Sequence, residues 1–338
     1  MINFDYVRAT DVADAIRKIS ATPTAKFIAG GTNLVDLMKD DVERPKTLID
    51  ISRLPLDKVE KTASGGLRIG ALVPNSDLSY HPLIASQYPV LASAIQAGAS
   101  QQLRNMASTG GNLLQRTRCA YFYDTATSCN KRSPGSGCSA LEGLNRIHAI
   151  LGWSPSCIAV HPSDMCVALA MLEAKVHVSG PDGAREIAFA DFHRLPGETP
   201  HVDTNLGAHE IITAVELPPQ GFARHHTYIK IRDRLSYAFA LIAVAVGLEM
   251  EGDSIREARF ALGGVAHKPW RSSEAEAALA GQKASRENFE KAAAIFLRDA
   301  KGFAHNGFKI DLARRAIVRA LTQAAHGTPQ VQAIKKLR

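Results

Sequence analysis

The chain has 338 residues and a mass of 36.4 kDa, a length that suggests two domains, or three. Its 46% hydrophobic and 22% charged residues match ordinary globular composition, which excludes disordered and low-complexity classes. A net charge of +7 and a pI near 9.2 raise nucleic acid as a partner. The cations are spread along the chain, however, and the only late cluster is Lys335-Lys336-Leu337-Arg338. With 6% aromatics and no helix-turn-helix, zinc-finger or RNP-like pattern, no nucleic-acid partner is expected. The longest apolar run, Ala238 to Val246, is about half of what a bilayer-spanning helix needs, so no membrane span is expected. The opening Met1-Ile2-Asn3-Phe4-Asp5 lacks a basic and an apolar stretch, so no export signal is expected on this chain.

In chain order, Asp11 to Ile19 predicts an amphipathic helix, with Val12, Ala15 and Ile16 at helical spacing. Lys26-Phe27-Ile28-Ala29 predicts a strand, followed by Gly30-Gly31-Thr32-Asn33 and a helix carrying Leu34, Val35, Leu37 and Met38. Thr47 to Ile51 and Gly66 to Ala71 predict further strands, and Leu83 to Ala99 a helix broken at Pro89. Arg116 to Pro162 has no apolar period and includes the turn-rich run Asn130 to Gly137; loops of that length are usually functional. Met165 to Lys175 predicts a buried helix. After a linker at Pro218-Pro219-Gln220-Gly221 come strands at Thr227–Ile231, Ala240–Met250 and Glu257–Leu262, then helices at Arg286–Ala300 and Ile310–Ala324. Strands followed by helices suggest an α+β C-terminal domain.

Two glycine pairs stand out. Gly30-Gly31-Thr32-Asn33 sits where a strand hands over to a helix, where glycines allow close backbone approach and free N–H groups favour a phosphate. Thr32 and Asn33 as ordinary helix caps explain the same letters. Ser108-Thr109-Gly110-Gly111-Asn112 repeats the pattern about eighty residues later, and two such turns suit a diphosphate held between loops. Gly135-Ser136-Gly137-Cys138-Ser139-Ala140 matches a dinucleotide fingerprint by letter only, because no strand precedes it. No P-loop and no nucleophile–base setting is present.

All five cysteines lie between Cys119 and Cys166. Cys119, Cys129, Cys138 and Cys157, with 9, 8 and 18 residues between them, allow an iron–sulfur cluster, zinc or disulfides. The wide spacings favour a cluster over zinc, and Arg116, Arg118, Lys131 and Arg132 are placed to offset thiolate charge. Cys166, in Met165-Cys166-Val167-Ala168-Leu169-Ala170, is expected to be a small core residue. Asp164 is expected to complement a helix dipole, and Lys230, alternating with Tyr228 and Arg232, to lie on a solvent face.

Phe27 to Leu34, Gln102-Leu103-Arg104-Asn105 with Ser108 to Asn112, and Ala261 to Trp270 resemble the FAD-binding medium subunit of molybdenum hydroxylases, the family of xanthine dehydrogenase, carbon monoxide dehydrogenase and bacterial aldehyde oxidoreductases. The resemblance covers nearly the whole chain. The cysteine loop, with Asn112 to Cys119 and Asn130-Lys131-Arg132, resembles the branch of periplasmic aldehyde oxidoreductases whose flavin subunit also holds a [4Fe–4S] cluster. Ser108 departs slightly, standing where many relatives carry Thr.

The resemblance implies an α+β fold: a two-lobed FAD-binding domain of the PCMH type over residues 1–220, with a cluster loop at about 116–162, then an α+β C-terminal domain of antiparallel sheet plus helices over 224–330. It implies that Lys26, Phe27, Ile28, Ala29, Gly30, Gly31, Thr32, Asn33 and Leu34, together with Ser108, Thr109, Gly110, Gly111 and Asn112, hold FAD. Asp164 and Lys230 match positions that contact the flavin or its ribityl chain, and Cys119, Cys129, Cys138 and Cys157 match the cluster ligands. No catalytic residue is expected on this chain. The implied role is an electron-transfer subunit in a heterotrimer. A large partner with a molybdenum cofactor oxidises aldehyde to carboxylic acid, a small partner with two [2Fe–2S] clusters feeds FAD here, and an external acceptor takes the electrons. The expected compartment is the periplasm, as part of an exported complex, with the cytoplasm as alternative. A self-contained flavin oxidase and a zinc-binding scaffold are the competing readings.

Overall fold

The computed structural model describes residues 1–327; the basic cluster at 335–338 and the end of the expected C-terminal domain lie outside the described residues. Three sheets follow one another along the chain. The first, parallel and ordered β1-β3-β2, is built from β1 (Asp5–Arg8), β2 (Ala25–Ile28) and β3 (Thr47–Asp50). Parallel neighbours need crossovers. Here the helix Val12–Ala21 follows β1 and the helix Leu34–Lys39 follows β2. Asp11 starts the first helix by accepting a hydrogen bond from Asp14 N at 2.7 Å.

The second sheet is antiparallel, in the order β4-β5-β8-β6-β7, from β4 (Val59–Lys61), β5 (Leu67–Gly70), β6 (Lys175–Gly180), β7 (Gly183–Ala188) and β8 (Ile211–Leu217). The expected helix Met165–Lys175 is shorter, Asp164–Met171, and its end becomes β6. Glu173 adopts a left-handed φ of 55°, which ends the helical path. Strand β7 is exposed at five of its six positions, so no apolar alternation marked it. The expected helix through Leu83–Ala99 is indeed two, Pro82–Gln87 and Pro89–Ala97.

The third sheet, β12-β11-β10-β9, is antiparallel: β9 (His226–Ile231), β10 (Ile242–Glu251), β11 (Ser254–Gly263) and β12 (Trp270–Arg271). Its alternation sorts side chains between two cores. Ile242, Val244, Val246 and Leu248 join Phe260, Phe289, Phe296 and Ile317 under the helices Arg286–Phe296 and Phe308–Ala325. Ala243, Ala245 and Tyr228 face the other way, into a core with the helices Pro89–Ala97 and Asp164–Met171. A sheet buried on both faces accounts for the continuous apolar run from Ala238 to Val246 without any membrane. Among the described residues no helix is long and apolar enough to cross one. Small residues let the layers close: a Cβ on Gly263 would lie 2.5 Å from Val167 Cγ2.

A cofactor cleft and an adjoining cysteine loop

A cleft of about 1270 Å³ opens between the first sheet, the second-sheet lobe and the edge of the third. Lys26 through Leu34, Ser108, Gly111, Asn112, Asp164 and Lys230 all line it. Thr109 and Gly110 do not; they sit behind its wall.

The first glycine pair leaves its backbone open. Gly31 has φ +72°, which an L side chain adopts only with strain. Gly30 packs so closely on the helix Gln101–Met106 that a Cβ would sit 1.7 Å from Met106 O. Among the described residues, the N–H groups of Gly30, Gly31, Thr32 and Asn33 donate to nothing in the chain. Asn33 is the residue before the helix Leu34–Lys39, yet its side chain does not cap it. Its Oδ1 instead accepts from Arg116 N at 2.9 Å, and its buried Nδ2 has no partner. Four open donors and an orphaned amide at the start of a helix form an anion cradle.

The second pair is built differently. Ser108 to Leu113 is not a turn but a capped helical segment, Thr109–Leu113. Thr109 N and Oγ1 donate to Val73 O at 3.0 and 2.9 Å, and Gly110 N donates to Ala71 O at 2.8 Å. Gly111 N donates to Ser108 Oγ, and Asn112 N to Ser108 O. From Thr109 to Asn112 every N–H is used. What it offers the cleft is the flat surface of Gly111 and the side chains of Ser108 and Asn112.

Asp164 and Lys230 meet. Lys230 Nζ donates to Asp164 Oδ2 at 2.8 Å and to Ala97 O at 3.0 Å, and Tyr228 Oη donates to Asp164 Oδ1 at 2.6 Å. The Lys230 side chain is 3% exposed. The solvent face expected for it is therefore an interior face, because β9 lays Tyr228, Lys230 and Arg232 against the C-terminal end of the helix Pro89–Ala97. Arg232 Nη1 also donates to Ala97 O. Cations at a helix C-terminus find unpaired carbonyls there. Burial and the Asp164 carboxylate push the Tyr228 phenol well above its ordinary value, so it remains a donor.

The cysteine loop leaves the cleft at Arg116 and contains one short helix, Ala120–Tyr123. Cys119, Cys129, Cys138 and Cys157 all line one small cavity, and all five cysteines are free thiols. Cys129 and Cys138 face each other across a β-bridge. Burial raises the Cys119 thiol to about 11. Cys157 donates to Cys138, which lowers Cys138 to about 6 and raises Cys157. The loop cations do not chiefly offset thiolates. Arg116 pairs with Glu43 and Asp203 at 2.6 Å each, Arg118 with Asp36 at 2.6 Å, and Lys131 with Asp203. Arg132 donates to the carbonyls of Tyr121, Phe122 and Thr127. The Arg116, Arg118 and Lys131 pairs tie the loop to the cleft wall while Arg132 braces the loop internally, and of the four cations Lys131 also favours ionised Cys157.

Residues 2–220 match the FAD binding domain in molybdopterin dehydrogenase, and residues 226–324 match the CO dehydrogenase flavoprotein C-terminal domain. The chain is also 51% identical over 325 residues to the aldehyde oxidoreductase FAD-binding subunit of Escherichia coli K12, covering 95% of this chain and 98% of that one. The chain belongs to the FAD-binding medium-subunit family of molybdenum hydroxylases. It is 25% identical over 332 residues to the carbon monoxide dehydrogenase medium chain of Afipia carboxidovorans, covering 95% and 98% of the two chains. The fold is shared with the carbon monoxide dehydrogenase of Hydrogenophaga pseudoflava, with a TM-score of 0.76 at 24% identity over 97% of this chain and 99% of that one.

The cleft fits the family's FAD on its own chemistry: the open N–H groups and the unpartnered Asn33 Nδ2 suit the diphosphate. The loop fits a cluster better than a single ion. Tetrahedral zinc with bonds of about 2.3 Å would draw its sulfurs to within roughly 4 Å of one another. Among the described residues, only His161, Cys166 and His193 bring three donor atoms within 4.8 Å; no three of the loop thiols do, although Cys138 and Cys157 meet as a pair.

Sequence reasoning missed that trio. Cys166 is buried in the helix Asp164–Met171, as expected, and burial raises its thiol to about 12. The His161 and His193 Nε2 atoms lie 3.4 and 2.8 Å from Leu113 O, each donating to it. Both rings are held neutral by burial, His193 with a pKa lowered to about 4. They hold the end of the Thr109–Leu113 segment, and no spacing in the sequence connects residues 113, 161 and 193. Tyr228 was also missed, although its alternation with Lys230 carried the signal once the face was known to be interior.

Proposed function

We propose that this chain is the FAD- and [4Fe–4S]-carrying electron-transfer subunit of a molybdenum-dependent aldehyde oxidoreductase. It would assemble with a large molybdenum-cofactor subunit, where aldehyde becomes carboxylic acid, and a small [2Fe–2S] subunit that supplies electrons. An external acceptor would take them onward, and the complex would work in the periplasm. FAD supplies the exchange between single-electron donors and a two-electron acceptor; the protein's work is to bind and tune.

The residues divide that work. Gly30 to Asn33 turn open N–H groups and an amide to the diphosphate, while Ser108, Gly111 and Asn112 form the facing wall. The Asp164–Lys230–Tyr228 group places a fixed, buried charge pair at the flavin end. Cys119, Cys129, Cys138 and Cys157 hold the cluster on a loop that Arg116 and Arg118 pin to the same cleft.

The observation that carries this reading is the quartet of thiols around one cavity on a loop springing from the cleft of an FAD-binding medium subunit. Purified protein should show a flavin absorption spectrum, with four iron and four acid-labile sulfide per FAD. Zinc in place of iron, or no flavin, would overturn it. The chain alone should not bleach its flavin with aldehyde, and the assembled complex should. Cell fractionation that leaves the complex in the cytoplasm would remove the periplasmic part alone.

A further inference from the structure

Nothing in the sequence singles out His148. It lies on the returning half of the cysteine loop and is 2% exposed. Its Nε2 is 3.1 Å from Cys119 Sγ. A thiolate only accepts, so with Cys119 ionised as a ligand the contact has one sense, Nε2–H donating to sulfur. Nδ1 is then the bare ring nitrogen.

The other domain holds this residue in place. Lys309, fully buried at the start of the helix Phe308–Ala325, donates from Nζ to His148 O at 2.7 Å and to Gly264 O at 2.6 Å. Asn306, also fully buried, donates from Nδ2 to His148 O and Ala149 O at 3.2 and 3.1 Å. Asn145 completes the brace: its Oδ1 accepts from His305 N at 2.9 Å while its backbone O accepts from His148 N at 3.0 Å. A histidine that merely filled space would not need two buried side chains to fix its peptide.

We propose that His148 is a positioning residue for the iron–sulfur site, whose Nε2–H···Sγ hydrogen bond to Cys119, locked by Lys309 and Asn306, raises the reduction potential of the [4Fe–4S] cluster. The inference rests on the cluster reading above. One-electron reduction adds negative charge that spreads onto the ligand sulfurs, and a donor at sulfur stabilises the more negative state. The C-terminal domain thereby acts on a group bound by the FAD-binding domain.

The test uses the assembled complex, wild type beside His148→Leu and His148→Gln, with the cluster potential read by EPR-monitored redox titration and iron and FAD counted in each. With iron retained, His148→Leu should disfavour reduction about tenfold, a fall of about 59 mV for one electron. His148→Gln, which keeps an N–H donor, should recover a substantial part of it. An unchanged potential in His148→Leu with iron intact would overturn the role of His148 alone. Wild-type protein without iron would overturn the cluster reading beneath it. Should His148→Leu lose its iron, wild-type protein labelled with ¹⁵N-histidine decides. Pulsed EPR of the reduced cluster should resolve a histidine nitrogen coupling, and its absence would overturn the hydrogen bond.

Discussion

The two glycine pairs have nearly the same letters and opposite physics. At Gly30-Gly31 the glycines are obligatory for the backbone, through a 1.7 Å approach to Met106 O and a φ of +72°, and the N–H groups are left over for a ligand. At Gly110-Gly111 the backbone is a capped helical segment whose N–H groups are spent on Val73, Ala71 and Ser108. A Gly-Gly pair marks a place where the chain comes close to something. Whether that something is a ligand or the protein's own strand depends on where the donors go.

The sharpest break of this comparison is Gly30→Ala. The clash is with backbone rather than with a side chain that could swing away. A loss of roughly 3 kcal/mol, the upper end for overpacking, is expected together with most of the bound flavin. Urea unfolding and the flavin-to-protein absorbance ratio would check both. Stable, flavin-loaded Gly30→Ala protein would mean that the first loop is not the close-packed cradle described.

The second segment should break by acid. His161 and His193 donate to Leu113 O as buried neutral rings, with His193 lowered to about 4 from an ordinary value near 6.5. A folded pKa below the unfolded one means that stability is complete above about pH 6.5. It is lost as pH falls toward 4, because the unfolded chain takes up the proton first. By pH 5 the loss amounts to about 2 kcal/mol for His193 at 1.36 kcal/mol per pH unit. His193→Gln keeps a donor for Leu113 O and cannot charge in this range. Its urea midpoint should therefore fall less than that of wild type between pH 7.5 and 5, and equal falls would remove His193 from the account.

A smaller effect separates structure from binding within the same segment. Ser108→Ala removes the acceptor for Gly111 N, a cap worth about 1 kcal/mol, while leaving the Thr109 and Gly110 anchors to Val73 and Ala71. Thermal unfolding should drop by a few degrees with flavin retained. Loss of flavin at unchanged stability would make Ser108 a direct ligand and erase the asymmetry between the pairs.

Much of this was legible because local pattern and global placement agree. The strand–glycine–helix order around residues 25–39 is stated by three adjacent signals, and the cysteine loop announced itself by lacking any period. The failures share a cause. Strand β7 and the interior face of β9 depend on what lies opposite them, and a solvent-exposed edge strand or a lysine aimed at a buried Asp164 has no local mark. The loop cations were expected near thiolates, but Glu43, Asp203 and Asp36 claim Arg116, Lys131 and Arg118 from far along the chain. The resemblance to a family identified Asp164 and Lys230 where residue physics alone did not.

The smallest expected effect is the most discriminating. Gly111→Ala adds a Cβ 2.8 Å from Ser108 Oγ, the far end of a side chain that can rotate, and meets nothing else within 4 Å. Gly111 also lies in helical backbone, where alanine is the better residue by up to about 1 kcal/mol. The gain offsets the loss of the Ser108 cap, so stability should change by less than about 0.5 kcal/mol. The new methyl faces the cleft, where Gly111 is part of the lining. Gly111→Ala should therefore weaken flavin retention during gel filtration while leaving the urea midpoint in place, the reverse of Ser108→Ala. If both properties hold, the second pair is only scaffold, and the diphosphate would be gripped from the Gly30-Gly31 side alone.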